Sequence, residues 1–127
     1  MNVDPYSALT RRLFSEPQHR APLAGEPAAG VSVYMDTQGV QLRLSATATD
    51  GVLDTLTFRV CGCPHLIAAC EWLCRSLEGK PVAGLSDVKP AAIMQTLAIP
   101  VAKTGRILVL EDAAAALGAQ LSATPPA

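Results

Sequence analysis

The four cysteines of this chain, Cys61, Cys63, Cys70 and Cys74, fall within one short stretch. A secreted disulfide framework staples distant parts of a chain, so reduced thiols are the better reading. The informative run is FRVCGCPHLIAAC, where a strand pattern gives way to a helix pattern. Cys63 falls at the helix N-cap, with Pro64 at the first helical position. Free N–H groups and the positive end of the helix dipole favour a thiolate there, available to a metal or to persulfide sulfur. Cys61 lies one step back on the strand and is expected to face the same loop region. His65, in the first helical turn, is either a ligand or proton carrier beside Cys63 or an ordinary surface histidine. Cys70 and Cys74 share an apolar stripe with Leu66, Ile67, Leu73 and Leu77, so they are expected to be buried as small hydrophobes and Cys63 to be exposed. A Cys-x-Cys pair is a weak zinc signal, because the structural zinc pattern needs a second pair and none exists.

Positioning these thiols falls to elements that the periodicity delineates. Tyr6, Leu9, Leu13 and Phe14 lie near one helical face, and Pro17 stops the pattern. Residues 16–30 hold three prolines and two glycines and read as an exposed loop. Val31, Val33 and Met35 alternate with polar neighbours, as do Val40, Leu42, Leu44 and Ala46 after a turn at Thr37 to Gly39. Asp50-Gly51 marks a second turn before Leu56, Phe58 and Val60. A three-stranded antiparallel meander follows. The cysteine-bearing helix comes next, with Glu71 and Arg75 as an i,i+4 pair on its polar side and Gly79 past its end. Pro81 to Asp87 is a connector, Lys89 to Leu97 a short helix and Ile99-Pro100 a break. The last helix presents Ile107, Leu110, Ala114, Leu117 and Leu121 on one face, and residues 122–127 form a frayed tail. Strands first and helices afterwards imply an α+β fold, helices packed on one face of a small sheet, with residues 1–127 as a single domain.

Composition excludes several function classes. With 127 residues, half of them hydrophobic, the chain has material for one core. Ten basic residues balance 11 acidic ones without a block of like charge, which argues against nucleic acid as a partner. No apolar run reaches the roughly 18 residues of a membrane span, and the start lacks the order of a secretory signal, so a cytoplasmic location is expected. Only two histidines, His19 and His65, are present, which disfavours imidazole-based catalysis and an enzymatic role.

Val60-Cys61-Gly62-Cys63-Pro64-His65 resembles the strand-to-helix turn of the NifU N-terminal (IscU-like) iron-sulfur cluster assembly scaffolds. Tyr6-Ser7 through Phe14 and Pro17 look like that family's first helix, Leu77-Glu78-Gly79-Lys80-Pro81 like its helix end, and Glu111-Asp112-Ala113 like its last helix. Ile99-Pro100-Val101-Ala102-Lys103 is similar to its chaperone-recognition segment, without the second proline. The resemblance implies an IscU-like two-layer sandwich, an iron-sulfur cluster or iron as cargo, and a cysteine desulfurase and an Hsp70-type chaperone as partners, the latter touching Pro100 and Lys103. The ligand set is depleted: Asp36 or Thr37 stands where the family opens its second strand with a cysteine, and Gly105-Arg106 replaces its His-Cys pair. Of the family's usual ligands only Cys63 survives. Asp36 reads as an oxygen ligand to iron or as a turn residue. Arg106 reads as a cation for an anionic sulfur species or a partner's carboxylate, or as a solvated helix-start arginine. The expected role is therefore a scaffold-like protein binding or relaying iron or sulfur through Cys63, against an adaptor of the assembly machinery that carries no cluster. A thiol redox enzyme using Cys61 and Cys63 is disfavoured by the absence of Cys-x-x-Cys.

Overall fold

Alternating apolar residues need a dry surface, and the computed structural model, which describes residues 6–20, 30–37, 39–61 and 63–123, supplies one. Strands β1 (Val31–Thr37), β2 (Val40–Thr49) and β3 (Val52–Cys61) form an antiparallel sheet in that order. Val33, Leu44 and Phe58 stand in one row across it, and Val31, Ala46 and Leu56 in another, so the pattern's apolar members share one face. The β2–β3 hairpin closes through Asp50 and Gly51, both at positive φ (54° and 77°), the primed turn geometry that matches strand twist. Gly30 enters β1 at φ 119°, and a Cβ there would lie 2.3 Å from the carbonyl oxygen of Ala46, so no larger residue fits.

Helices α2 (Pro64–Leu77), α3 (Pro90–Leu97) and α4 (Thr104–Ala123) follow the sheet, with α1 (Ala8–Ser15) preceding it and 3₁₀ turns at Val82–Asp87 and Val101–Lys103. Helix α4 packs on β1 and β2, α2 on β3, and α1 on α2. The expected α+β architecture, helices on one sheet face, is the one observed. Ile107, Leu110, Ala114 and Leu117 are buried as expected, but so are Val109 and Ala113. The stripe is broad because α4 also meets α2, α3 and the Val82–Asp87 turn. Helix α4 runs to Ala123, so residues 122 and 123 of the expected tail are helical; residues 124–127 lie outside the described residues.

The open edge of β3 is where the sequence reading needs correction. Gln18 to Arg20, expected to be part of an exposed loop, lie along that edge: the Phe58 amide donates to the His19 carbonyl at 3.0 Å, and Arg20 bridges Phe58 in parallel. Further along, the Leu56 amide donates to Glu78 Oε2 at 3.0 Å and the Leu53 amide to the Lys80 carbonyl at 2.9 Å. Edge strands left bare invite pairing with other chains, and here two segments cover much of one. Residues 21–29 of the expected loop lie outside the described residues.

Candidate functional site

The last residue of β3 and the first of α2 are separated by only two positions, Gly62 and Cys63. Cys63 is the N-cap of α2, its carbonyl accepting from the Leu66 and Ile67 amides at 3.0 and 3.1 Å, with Pro64 in the first turn. That is the junction expected from sequence. Its side chain makes no capping bond; Sγ instead lies 3.8 Å from His65 Nδ1. The structure thus brings together Cys63 and His65, two of the residues expected to form the site.

Exposure departs from expectation. Cys63 is 9% exposed and His65 5%, so neither the exposed thiol nor the surface histidine is found. Over His65 the N-terminal segment forms part of the cover. The Tyr6 ring lies 4.8 Å from the His65 ring, and Phe14 meets Tyr6 edge-on at 5.0 Å between centroids. Within α1 only Thr10 and Leu13 are fully buried. Ser7 caps this helix, its Oγ accepting from the Thr10 amide at 3.1 Å. The same hydroxyl lies 3.0 Å from the Leu97 carbonyl, to which Thr10 Oγ1 donates at 2.7 Å, so the start of α1 is pinned to the end of α3.

A second tie was not legible in the sequence. Glu71, expected on the polar side of α2, is fully buried beneath the chain that leaves α1. Its carboxylate accepts from the His19 amide at 2.8 Å, His19 Nδ1 at 2.6 Å and Arg75 Nε at 2.7 Å. Burial alone would raise its pKa, but the His19 amide, Arg75 and the His19 ring hold it below the ordinary 4.5. His19 Nε2 also approaches Glu78 Oε1 at 3.4 Å. A histidine in a Pro-rich stretch and a glutamate 52 positions later carry no periodic signal that they meet.

The remaining candidates lie elsewhere. Cys61 is exposed on the outer sheet face, because strand alternation puts it opposite Val60, which faces the core. It pairs across the strands with Gln41, and Gln41 with Asp36, which is also exposed. Two strand spacings, about 9–10 Å, separate Asp36 from Cys61. The expected convergence of Cys61 and Cys63 on one loop region is therefore not what the structure shows: one thiol is exposed on the outer sheet face and the other is buried beside His65. Pro100, Lys103 and Arg106 line the α3–α4 junction, Pro100 exposed and the other two partly so. Val101 between them is 85% exposed. Among the described residues no three His, Cys, Asp or Glu side chains gather as they would around a metal ion.

Cys70 and Cys74 are buried, as expected. Burial first, and then the Glu71 carboxylate, pushes the Cys70 thiol far above its ordinary 9.0. Cys74 is raised likewise by burial, then by Cys70, Glu71 and Glu78. Thiols so held stay protonated and are poor nucleophiles. Chemistry at sulfur is left to Cys63, beside an imidazole, and to Cys61 on the surface.

Comparison with known proteins is consistent with this geometry. The NifU-like N terminal domain family matches residues 6–121. "Iron sulfur cluster assembly protein 1, mitochondrial" of Eremothecium gossypii is 27% identical over 91 residues, 72% of this chain and 54% of that protein. The protein of the same name from Yarrowia lipolytica is 29% identical over 91 residues, 72% of this chain and 46% of its own length. The chain thus spans about half the length of these relatives. The crystal structure of a nitrogen-fixing NifU-like protein (N-terminal) from Brucella abortus superposes with a TM-score of 0.67 at 17% identity, covering 94% of this chain and 95% of that one, a likeness of fold. Among the described residues no helix is long and apolar enough to cross a membrane.

Proposed function

The chain belongs to the NifU-like N terminal domain family, and from that premise we propose that it serves iron-sulfur cluster assembly as a scaffold-type protein that relays sulfur on Cys63. The observation that carries this reading is the placement of Cys63: an N-cap thiol at a strand-to-helix junction, 3.8 Å from an imidazole nitrogen. The amide-rich start of α2 suits the negative charge of a persulfide. Cys63 sulfur attacks the outer sulfur of a cysteine desulfurase persulfide. The donor's S–S bond breaks with its electron pair leaving on the desulfurase thiolate, a new S–S bond forms on Cys63, and the thiol proton passes to a base, for which His65 Nδ1 is placed. The chain performs no catalysis of its own in this scheme, and Pro100, Val101 and Lys103 are the surface offered to an Hsp70-type chaperone.

A cluster, as cargo, needs four thiolate or imidazole ligands. Asp36 and Cys61 lie on the sheet's outer face and Cys63 in the core cluster, so this set does not fit one in a single chain. That scatter favours a second reading, an adaptor that occupies partner surfaces without a cluster. Mass spectrometry after incubation with a desulfurase and cysteine separates the two. One added sulfur on the Cys63 peptide, abolished by Cys63→Ser and kept in Cys70→Ala, is the expected result. No added sulfur, with partner binding unchanged by Cys63→Ser, establishes the adaptor.

A further inference from the structure

The reactive thiol of the proposed function is covered, and the nature of its cover has a consequence. Segment Tyr6–Arg20 crosses the start of α2 and then follows the edge of β3. Its apolar anchorage is one face of α1: Leu13 is fully buried, and Leu9 and Phe14 are partly buried against the core. Polar ties near its two ends help to fix it. Ser7 and Thr10 hold the Leu97 carbonyl, and the His19 amide and ring hold the Glu71 carboxylate. Hydrogen bonds exchange readily for bonds to water, so such ties contribute modestly and release at small net cost. Glu71 keeps Arg75 Nε at 2.7 Å, so its charge stays compensated when the segment leaves.

We infer that Tyr6–Arg20 is a strap that lifts as a unit to uncover the Cys63–His65 pair, with His19 on Glu71 as its latch. Resting on the sulfur-relay reading, this makes access to the strap-covered thiol the regulated step of that reading. The strap opens without unfolding the sheet, because its removal exposes few core side chains: Leu42, Leu44, Leu56 and Phe58 are buried between the sheet and the other helices. Segments with few buried contacts are those that open below the global free energy.

Alkylation of the full chain by iodoacetamide at increasing urea below the unfolding transition, resolved by peptide mass spectrometry, tests this. Labelling of Cys63 is expected to be nearly independent of urea, since strap opening exposes little surface, whereas labelling of Cys70 and Cys74 rises steeply with it. His19→Ala and Tyr6→Ala should each speed Cys63 labelling roughly tenfold in the absence of urea. The strap is refuted if Cys63 follows Cys70 in both rate and urea dependence, or if neither substitution changes its rate. Sulfur loading, measured on the same variants, is a separate readout: fast alkylation of Cys63 without sulfur gain leaves the strap standing and removes the sulfur-relay reading.

Discussion

Cys63 is the N-cap of α2 and Cys70 lies in the middle of that helix; both are buried, yet different things bury them. Cys70 is enclosed by the apolar core, and with it Cys74, whose thiol like that of Cys70 is driven toward the protonated form. Cys63 lies 3.8 Å from His65, and on that imidazole packs Tyr6, from a segment held by polar ties at Leu97 and Glu71. Burial of both in a static structure therefore hides unequal access. Burial by the core lasts as long as the fold does, and burial by a strap lasts only between its openings.

The largest expected effect is on relative labelling rates. Cys61, already on the surface, should react first and Cys63 next. Cys70 and Cys74 should be slower than Cys61 by about a thousandfold or more, since a domain of ordinary stability populates the unfolded state that rarely. A core variant sharpens the contrast. Leu117 is fully buried on α4, and Leu117→Ala should cost about 2–5 kcal/mol in a urea titration. Labelling of Cys70 should rise accordingly, while that of Cys63 should not move, because lifting the strap does not break the α4 interface. Parallel acceleration of both thiols would erase the distinction.

Acid should act on the strap's latch. The folded-state pKa of Glu71 lies below 4.5, so its ion pair contributes stability that is fully present above that value. This contribution is lost as pH falls from about 4.5 through the lower folded-state value. Urea midpoints measured from neutral pH down to about 3 should fall more steeply in the wild type than in Glu71→Gln, which has no carboxylate to protonate. His19→Ala should be intermediate, because Arg75 still holds the charge. Identical slopes for wild type and Glu71→Gln would remove Glu71 as the acid-sensitive group.

What could be read from sequence follows from periodicity. The meander, its Asp50-Gly51 turn, the N-cap Cys63 and the apolar stripe of α2 were legible because strand and helix periods mark the faces that must be dry. The cover over Cys63 was not. Tyr6, His19 and Glu71 meet through contacts between distant parts of the chain, and a Pro-rich stretch gives no period from which to infer a partner. Glu71 looked like the polar half of an i,i+4 pair, and that pair does exist at 2.7 Å. Local spacing could not disclose that the strap closes over it. The split of Cys61 from Cys63 depended on how the end of β3 sets Cys61 on the outer sheet face.

Ser7 offers the smallest effect and the finest discrimination. Its hydroxyl caps α1 through the Thr10 amide and touches the Leu97 carbonyl, so both contacts belong to the strap and neither to the core. Ser7→Ala should cost about 1 kcal/mol, the usual loss for an N-cap. That loss raises the free energy of the closed state relative to every state in which the strap is off. It should therefore appear twice: as about 1 kcal/mol of global stability by urea titration, and as a roughly fivefold faster alkylation of Cys63. Agreement between the two values means that the Ser7 contacts are already broken when Cys63 becomes reachable. Should global stability fall while Cys63 alkylation stays constant, the start of α1 remains docked when Cys63 reacts, and the segment does not lift as a unit.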